Sequence, residues 1–407
     1  MDKFKKVLSN PFAVILCNVI IAVLIREILI TDFIVSLVLM VAVIVAMLLL
    51  DKFGIINALF DAYIAQKTAA IISGIMLVIA IPISLTSNNY IAHIATMAVV
   101  YGIACLGLNF QMGSTDMTNF APAAFMGIGA YSVAVCTTKF GLSPWVGMLM
   151  GIFISGLLGL IVGLPTLKTK GYYLSLVTMA IQLAFTQLMN NIPALGGANG
   201  IPGVEKYSIF GFQLYKKYTV FGIKFAPQIP YLLLCIGFLI LFTYIAMRVY
   251  YSKSGLSLNA IAQDEIAANC LGINASRQKL FAFVIGSIFC GVAGSLLVGL
   301  DSYVGPSSYN FARSLVLICM VILGGMDNSI GIIVGAFLLA IISEKLRDFA
   351  DFQQLVYGLI LVTMLIVRPN GIIPKRVRNY CGITKRTLEH APKAAEVPQA
   401  FEAGVEV

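Results

Sequence analysis

Long apolar runs alternate with short polar stretches from one end of the chain to the other. A helix needs about 20 residues to cross the hydrocarbon of a bilayer. On that measure the pattern predicts spans over Pro11–Ile30, Phe33–Leu50, Thr68–Leu85, Tyr90–Phe110, Met117–Thr138, Pro144–Pro165, Gly171–Ile192, Ile229–Tyr250 and Leu280–Leu300. A final apolar group runs from Ser314 to Val367. Within it, Ser314–Met326 and Ile330–Ser343 are short for full crossings, and read either as two steep helices or as a broken pair covered by protein. The pattern therefore predicts an all-α polytopic membrane protein with about ten to twelve transmembrane or re-entrant helices. The first run follows Lys3, Lys5 and Lys6 and resembles a signal peptide. It has no small-x-small cleavage site and leads through Arg26-Glu27 into more apolar sequence, so it reads as a retained span. Residues 1–67 form a two-span extension and linker, and 68–373 form a core interrupted by a polar interval at 252–279 and a long loop at 193–228. Residues 374–407 are basic and then a mixed-charge, disordered tail.

Finer patterns separate the spans. Gly147, Gly151, Ser155, Gly159 and Gly163 recur at every fourth position, as do Ser287, Gly291, Ser295 and Gly299. Small residues at that spacing let helix backbones approach closely, so both stripes read as packing seams. Ser175, Thr178, Gln182, Thr186 and Asn190 instead form a polar stripe along one span. Such a face would be costly in lipid, and reads either as the wall of a solute path or as a set of interhelical hydrogen bonds.

Composition agrees with a membrane protein: 59% of residues are hydrophobic and 11% charged, outside the range of soluble domains. The net charge of +9 lies in short loops rather than along one face, which points to membrane topology and away from nucleic acid. Loops on the N-terminal side hold more of the basic residues, so both termini and 252–279 are expected in the cytosol. The acidic residues fall in loops, at span ends or in the tail. Asp116, Asp301 and Asp327 come closest to the hydrocarbon, each at a helix boundary, and Arg313 falls in an outer loop. Ion-coupled carriers usually hold an ionisable group within the membrane, and none is expected at mid-span here. His93 reads as a packed histidine. The eight cysteines form no CxxC pair, so neither a metal site nor a disulfide framework is read.

In the polar interval, Leu256 to Leu271 reads as one short amphipathic helix capped by Gly272. Leu258, Ile261, Ala268 and Leu271 share a face, with Asp264 and Glu265 near the middle. On pattern alone it is either an ordinary loop helix or one shaped to dock into a groove on another protein. The run Ala260-Ile261-Ala262-Gln263-Asp264-Glu265-Ile266-Ala267-Ala268-Asn269-Cys270-Leu271-Gly272-Ile273-Asn274 resembles the cytoplasmic coupling loop of ABC importer permeases, in particular the branched-chain amino acid permease family. Gly196-Gly197-Ala198-Asn199-Gly200-Ile201, Leu323-Gly324-Gly325-Met326, and Tyr357-Gly358-Leu359-Ile360 through Arg368-Pro369-Asn370-Gly371 resemble further family motifs in the same order. The stretch from Gly107-Leu108-Asn109 to Tyr131 resembles the family's first core hairpin. It departs at Asp116-Met117 and Ala121-Pro122, where the family commonly has Gly-Gln and Gly-His.

The resemblance implies a multi-pass permease subunit in a prokaryotic inner or cytoplasmic cell membrane, importing leucine, isoleucine and valine. It implies two ATP-binding subunits, a second related permease and an extracytoplasmic substrate-binding protein as partners. Asp264, Glu265, Ala267, Ala268, Leu271 and Gly272 would couple to the ATPase, and Asn109 with the polar stripe would line the path. Gly196, Gly197, Asn199 and Gly200 would form the outer-loop motif. The chain has no GxxxxGK[ST] phosphate loop, so it cannot bind ATP in the P-loop manner; the resemblance implies no cofactor on this chain and ATP hydrolysed by the partner subunits. No catalytic constellation of Ser, His and acid or of paired carboxylates is read, which excludes most enzyme classes. An ion-coupled secondary carrier, or an ABC permease for urea, amides or other amino acids, stands as the alternative.

Overall fold

The structure is a computed structural model. It describes residues 89–166, 172–209, 212–215, 219–220, 223–224, 226–347, 350–367 and 371–373, with isolated positions between 23 and 42. The spans expected over Pro11–Ile30, Phe33–Leu50 and Thr68–Leu85, the N-terminal extension and the tail 374–407 therefore lie outside the described residues, isolated positions apart.

Among the described residues the architecture is helical. Helix α1 (Asn89–Thr115) is followed by α2 (Pro122–Thr138), α3 (Pro144–Thr166) and α4 (Tyr172–Asn191). Helix α5 (Ile229–Tyr250) leads into two short helices, α6 (Lys253–Gln263) and α7 (Glu265–Cys270). Then come α8 (Ala275–Asp301), α9 (Phe311–Gly324), α10 (Ser329–Lys345) and α11 (Ala350–Val367). Five stretches, among them α1, α5 and α8, are long and apolar enough to cross a membrane. Six two-residue strands form three antiparallel pairs, two of them local hairpins, while the third joins Ile201–Pro202 to Tyr303–Val304. That pair ties the 193–228 loop to the end of α8.

Helices α1 and α8 form the centre. The apolar window of α1 is 89% buried inside the protein and that of α8 78%, and they pack on each other and on α2, α3, α5 and α10. The two small-residue stripes meet. A Cβ on Gly159 would lie 2.7 Å from the Cβ of Ser287, and one on Gly291 would lie 2.3 Å from Ser155 Oγ. Helix α2 lies as close against α8: a Cβ on Gly129 would lie 1.9 Å from Gly291 O, and one on Gly294 would lie 1.8 Å from Met126 O. Without a hydrophobic drive between helices in lipid, such close backbone approach is what the small residues provide. The outward faces are apolar, with Leu149, Phe153, Leu157 and Ile161 exposed on α3 and Phe352, Leu355, Leu359 and Ile366 on α11.

Two expectations are corrected. The span from Met117 starts as a helix only at Pro122, because proline has no N–H to continue a helix and restrains the residue before it. Asp116 adopts a left-handed φ of 54° at that break. The helix expected over Leu256–Leu271 is two helices. Asp264 between them is extended (φ −156°, ψ 111°), and its Oδ1 accepts from the backbone N–H of Ile266 at 2.8 Å and of Ala267 at 3.1 Å. An aspartate competes for backbone donors in this way and starts a helix more readily than it sits inside one.

Candidate functional site

Three groups of residues singled out in the sequence lie in different parts of the bundle. The loops 193–228 and 252–279 sit at opposite ends of α5, so the molecule has two distinct polar ends.

At the 252–279 end, Ser252 caps α6 through a bond from Gly255 N at 3.4 Å. Gly255 is packed so tightly on the end of α5 that a Cβ there would lie 2.2 Å from Tyr250 O. Leu258 joins the main core, while Ile261, Ala268 and Ala275 form a small cluster with Ala260 and Ile273. Helix α7 ends in a left-handed glycine cap: Gly272 has φ +83°, its N–H bonds to Asn269 O, and Ile273 N bonds to Ala268 O. Those two bonds satisfy carbonyls that the helix end would leave open. Glu265 Oε2 lies 2.7 Å from Lys279 Nζ, fastening α7 to the first turn of α8. Ala268 is buried, as the face pattern predicts, but Leu271 is not. It is 80% exposed, with Ile266 at 74%, and Ala267 and Cys270 beside them are also exposed. The break at Asp264 turns α7 away from the line of α6 and so presents this apolar group at a polar end of the molecule.

Above it, Asn109 is fully buried in a network that joins three elements. Its Nδ2 donates to Tyr250 Oη at 2.5 Å, and its Oδ1 accepts from Asp327 N at 2.8 Å. Ser114 Oγ donates to Asp327 Oδ1 at 2.8 Å. The ring of Phe110 stacks on Tyr250 at 4.6 Å. One asparagine thus connects the end of α5, from which α6 and α7 hang, to the turn between α9 and α10.

The polar stripe of α4 meets the irregular entry to α2. Phe120 N donates to Thr178 Oγ1 at 3.0 Å, and Ser175 Oγ reaches Thr118 O at 3.4 Å. Gln182 is fully buried. Its Oε1 accepts from Ala124 N at 2.7 Å and from Ser314 Oγ at 3.0 Å, and its Nε2 donates to Tyr309 O at 2.8 Å. Ser314 Oγ in turn accepts from Ala123 N at 3.2 Å. These contacts satisfy first-turn donors of α2 that a buried helix start would leave orphaned. Thr178 and Gln182 therefore sit in a sealed polar layer, whereas Ser175, Thr186 and Asn190 are half-buried. Leu176 and Leu183, on the opposite side of the helix, are exposed.

In the 193–228 loop, Gly196, Gly197 and Gly200 all take left-handed φ values. Gly200 is the tightest: a Cβ there would lie 2.2 Å from Val304 O. Asn199 O accepts from Tyr303 Oη at 3.2 Å. The motif closes α4 onto the end of α8 through backbone conformations that side chains would strain.

The sequence reading missed Arg313. Far from an outer loop, it stands in the first turn of α9, half-buried, with its guanidinium hydrogen-bonded to Tyr101 Oη of α1. Nearby, His93 Nε2 lies 3.8 Å from Asp301 Oδ1. A span boundary drawn three residues upstream, at the polar stretch Ser307 to Asn310, would have found it.

Residues 90–368 match the family model described as branched-chain amino acid transport system / permease component. The chain belongs to this family. It is 32% identical over 312 residues to the high-affinity branched-chain amino acid transport system permease protein LivM of Salmonella typhimurium, covering 74% of this chain and 73% of that protein. With the LivM of Escherichia coli K12 the identity is 30% over 327 residues, 77% and 76% of the two chains. A probable branched-chain amino acid transport permease protein LivH of Methanocaldococcus jannaschii is 25% identical over 300 residues, 68% of this chain and 90% of that one. No solved structure matches the chain at a significant level. With its apolar helices, membership of a transport permease family makes this a multi-pass protein of a prokaryotic cell membrane and not an enzyme of a known catalytic class.

Proposed function

We propose that this chain is the membrane-spanning permease subunit of an ATP-driven importer for leucine, isoleucine and valine. The substrate reading rests on the names of the relatives, and the coupling reading on one observation: the exposed Ile266 and Leu271 on α7, held in place by the Asp264 cap and the Glu265–Lys279 pair. Two large apolar side chains at a polar end of a membrane protein are the shape of an anchor for a partner's groove. That partner is an ATP-binding subunit, which makes the 252–279 end cytosolic and the 193–228 end external. Matches to both LivM and LivH proteins support a second, related permease as a further partner. An extracytoplasmic binding protein would deliver substrate to the 193–228 end.

Within this reading, Asn109 carries motion at α7 through Tyr250 to the turn at Asp327. The α4 stripe borders the path, half-open at Ser175, Thr186 and Asn190, and the sealed layer at Thr178 and Gln182 is its closed constriction. Co-expression of an affinity-tagged chain with a LivH-type permease and two ATPases is expected to yield one complex containing all four. Recovery of the tagged chain alone, from cells in which the other three are made, would contradict the assignment.

A further inference from the structure

Arg313 is in an unusual place for a cation. Its partner Tyr101 stands twelve residues into α1, about 18 Å along the axis at 1.5 Å per residue. An arginine at such a position in apolar helices is costly unless something offsets its charge. Yet among the described residues no carboxylate lies within 4.0 Å of it, and its guanidinium meets a neutral phenol, donating one hydrogen bond to Tyr101 Oη and lying 5.5 Å from the centre of that ring. A guanidinium has five N–H donors in a planar fork matched to a carboxylate. Asp301, at the end of α8, is in electrostatic range of Arg313 but is faced by His93. Two buried hydroxyls on the flanking elements, Tyr131 Oη and Ser302 Oγ, also have no hydrogen-bond partner among the described residues. On α1, His93 and Met97 precede Tyr101 at four-residue spacing and are only partly buried in a helix that is otherwise almost wholly buried beyond its first two residues.

We propose that Arg313 is a carboxylate-receiving residue within the path, level with the Gln182 layer, engaging the α-carboxylate of the transported amino acid while Asp301 faces its ammonium. The proposal rests on the amino-acid transport reading above and adds a charged contact within the permease itself. A site with one fork-shaped cation and one carboxylate suits a zwitterion and discriminates against the amine or alcohol analogues. With only these two charged contacts, it stays weak enough to release substrate onward.

Phenylglyoxal modification of Arg313 in the detergent-solubilised wild-type complex, followed by peptide mass spectrometry and without binding protein, tests the contact directly. Millimolar leucine is expected to slow modification at Arg313, isovalerate to slow it less, and leucinol and isopentylamine not to slow it. In proteoliposomes supplied with binding protein and internal ATP, Arg313→Gln is expected to lower leucine uptake by roughly tenfold, the worth of one charge-assisted hydrogen bond. Arg313→Lys should retain more activity than Arg313→Gln. Equal modification rates with and without leucine would overturn the proposal, as would equal protection by leucinol. Wild-type proteoliposomes that take up none of the three amino acids would instead show that the transport reading has failed. The modification experiment does not depend on transport.

Discussion

Gly294 illustrates how narrowly single residues fix this bundle. A methyl group there would lie 1.8 Å from Met126 O, which is backbone and cannot swing away. Gly294→Ala is therefore expected to destabilise by at least the roughly 1–3 kcal/mol of an overpacked core, read as a lowered thermal midpoint of the solubilised chain. An unchanged midpoint would show that α2 and α8 do not touch there. Gln182 is a second such point. Gln182→Leu keeps the volume but strands Ala124 N and Tyr309 O, at about 1–3 kcal/mol for each buried group left unpaired. If Gln182 is the closed constriction, a cysteine at 182 should resist a water-soluble thiol reagent at rest and react during ATP turnover in the presence of binding protein. Protection that persists through turnover would make the layer a permanent helix contact. At this scale the sequence was partly legible. Spacing of four identifies small-residue seams because close packing requires it, and the two stripes do meet. The stripe on α4 shows only that its polar groups need partners. Whether water or a neighbouring backbone supplies them depends on α2 and α9, which lie 58 and 132 residues away from Gln182 in sequence. Arg313 escaped notice because one charge at a span boundary looks the same in sequence whether it reaches outward or folds back onto Tyr101.

Among the elements, α7 carries the strongest expectation. Ile266→Asp and Leu271→Asp change exposed side chains, so insertion and stability should remain as in the wild type while substrate uptake falls by about tenfold or more, consistent with loss of a buried interface anchor. Ala268→Arg instead forces a charge into the small cluster with Ile261 and Ala275, and should unfold the loop as well as abolish uptake. Uptake at the wild-type level in both exposed variants would remove α7 from any docking role. Limited proteolysis separates the two kinds of variant, since only Ala268→Arg should expose new cleavage sites at 252–279. Among the described residues helix existence was readable almost throughout, with Ile229–Tyr250 matching to the residue. The misses lie where one side chain outweighs the apolar pattern: Pro122 delays α2, and Asp264 splits one expected helix in two. Neither changes hydrophobic periodicity over a whole turn, so a pattern-based reading passes over both. The split matters for function, because it moves Leu271 from a buried face to an exposed one.

For the whole molecule, α1 and α8 form a nearly buried centre around which shorter and more exposed helices pack. Polar contacts lie in layers between its two ends: His93 with Asp301 toward the 193–228 loop, Arg313 with Tyr101 and Gln182 with Ser314 farther along, and Asn109 with Asp327 toward the 252–279 loop. Such layering permits an end-to-end change in which motion at α7 biases the contacts above it, provided that a partner binds one arrangement better than another. The family was legible in the sequence because its motifs occupy loops and caps that demand particular residues, Gly200 and Gly272 among them. Partners and direction of transport were not, since one chain carries no trace of the other subunits beyond the surfaces it presents. The most direct measurement of the central claim is leucine uptake by proteoliposomes containing the complete complex, with ATP inside, binding protein outside, and both proton and sodium gradients collapsed. The account predicts uptake that continues without gradients and stops when ATP is omitted. Uptake that requires a gradient and proceeds without ATP would contradict it.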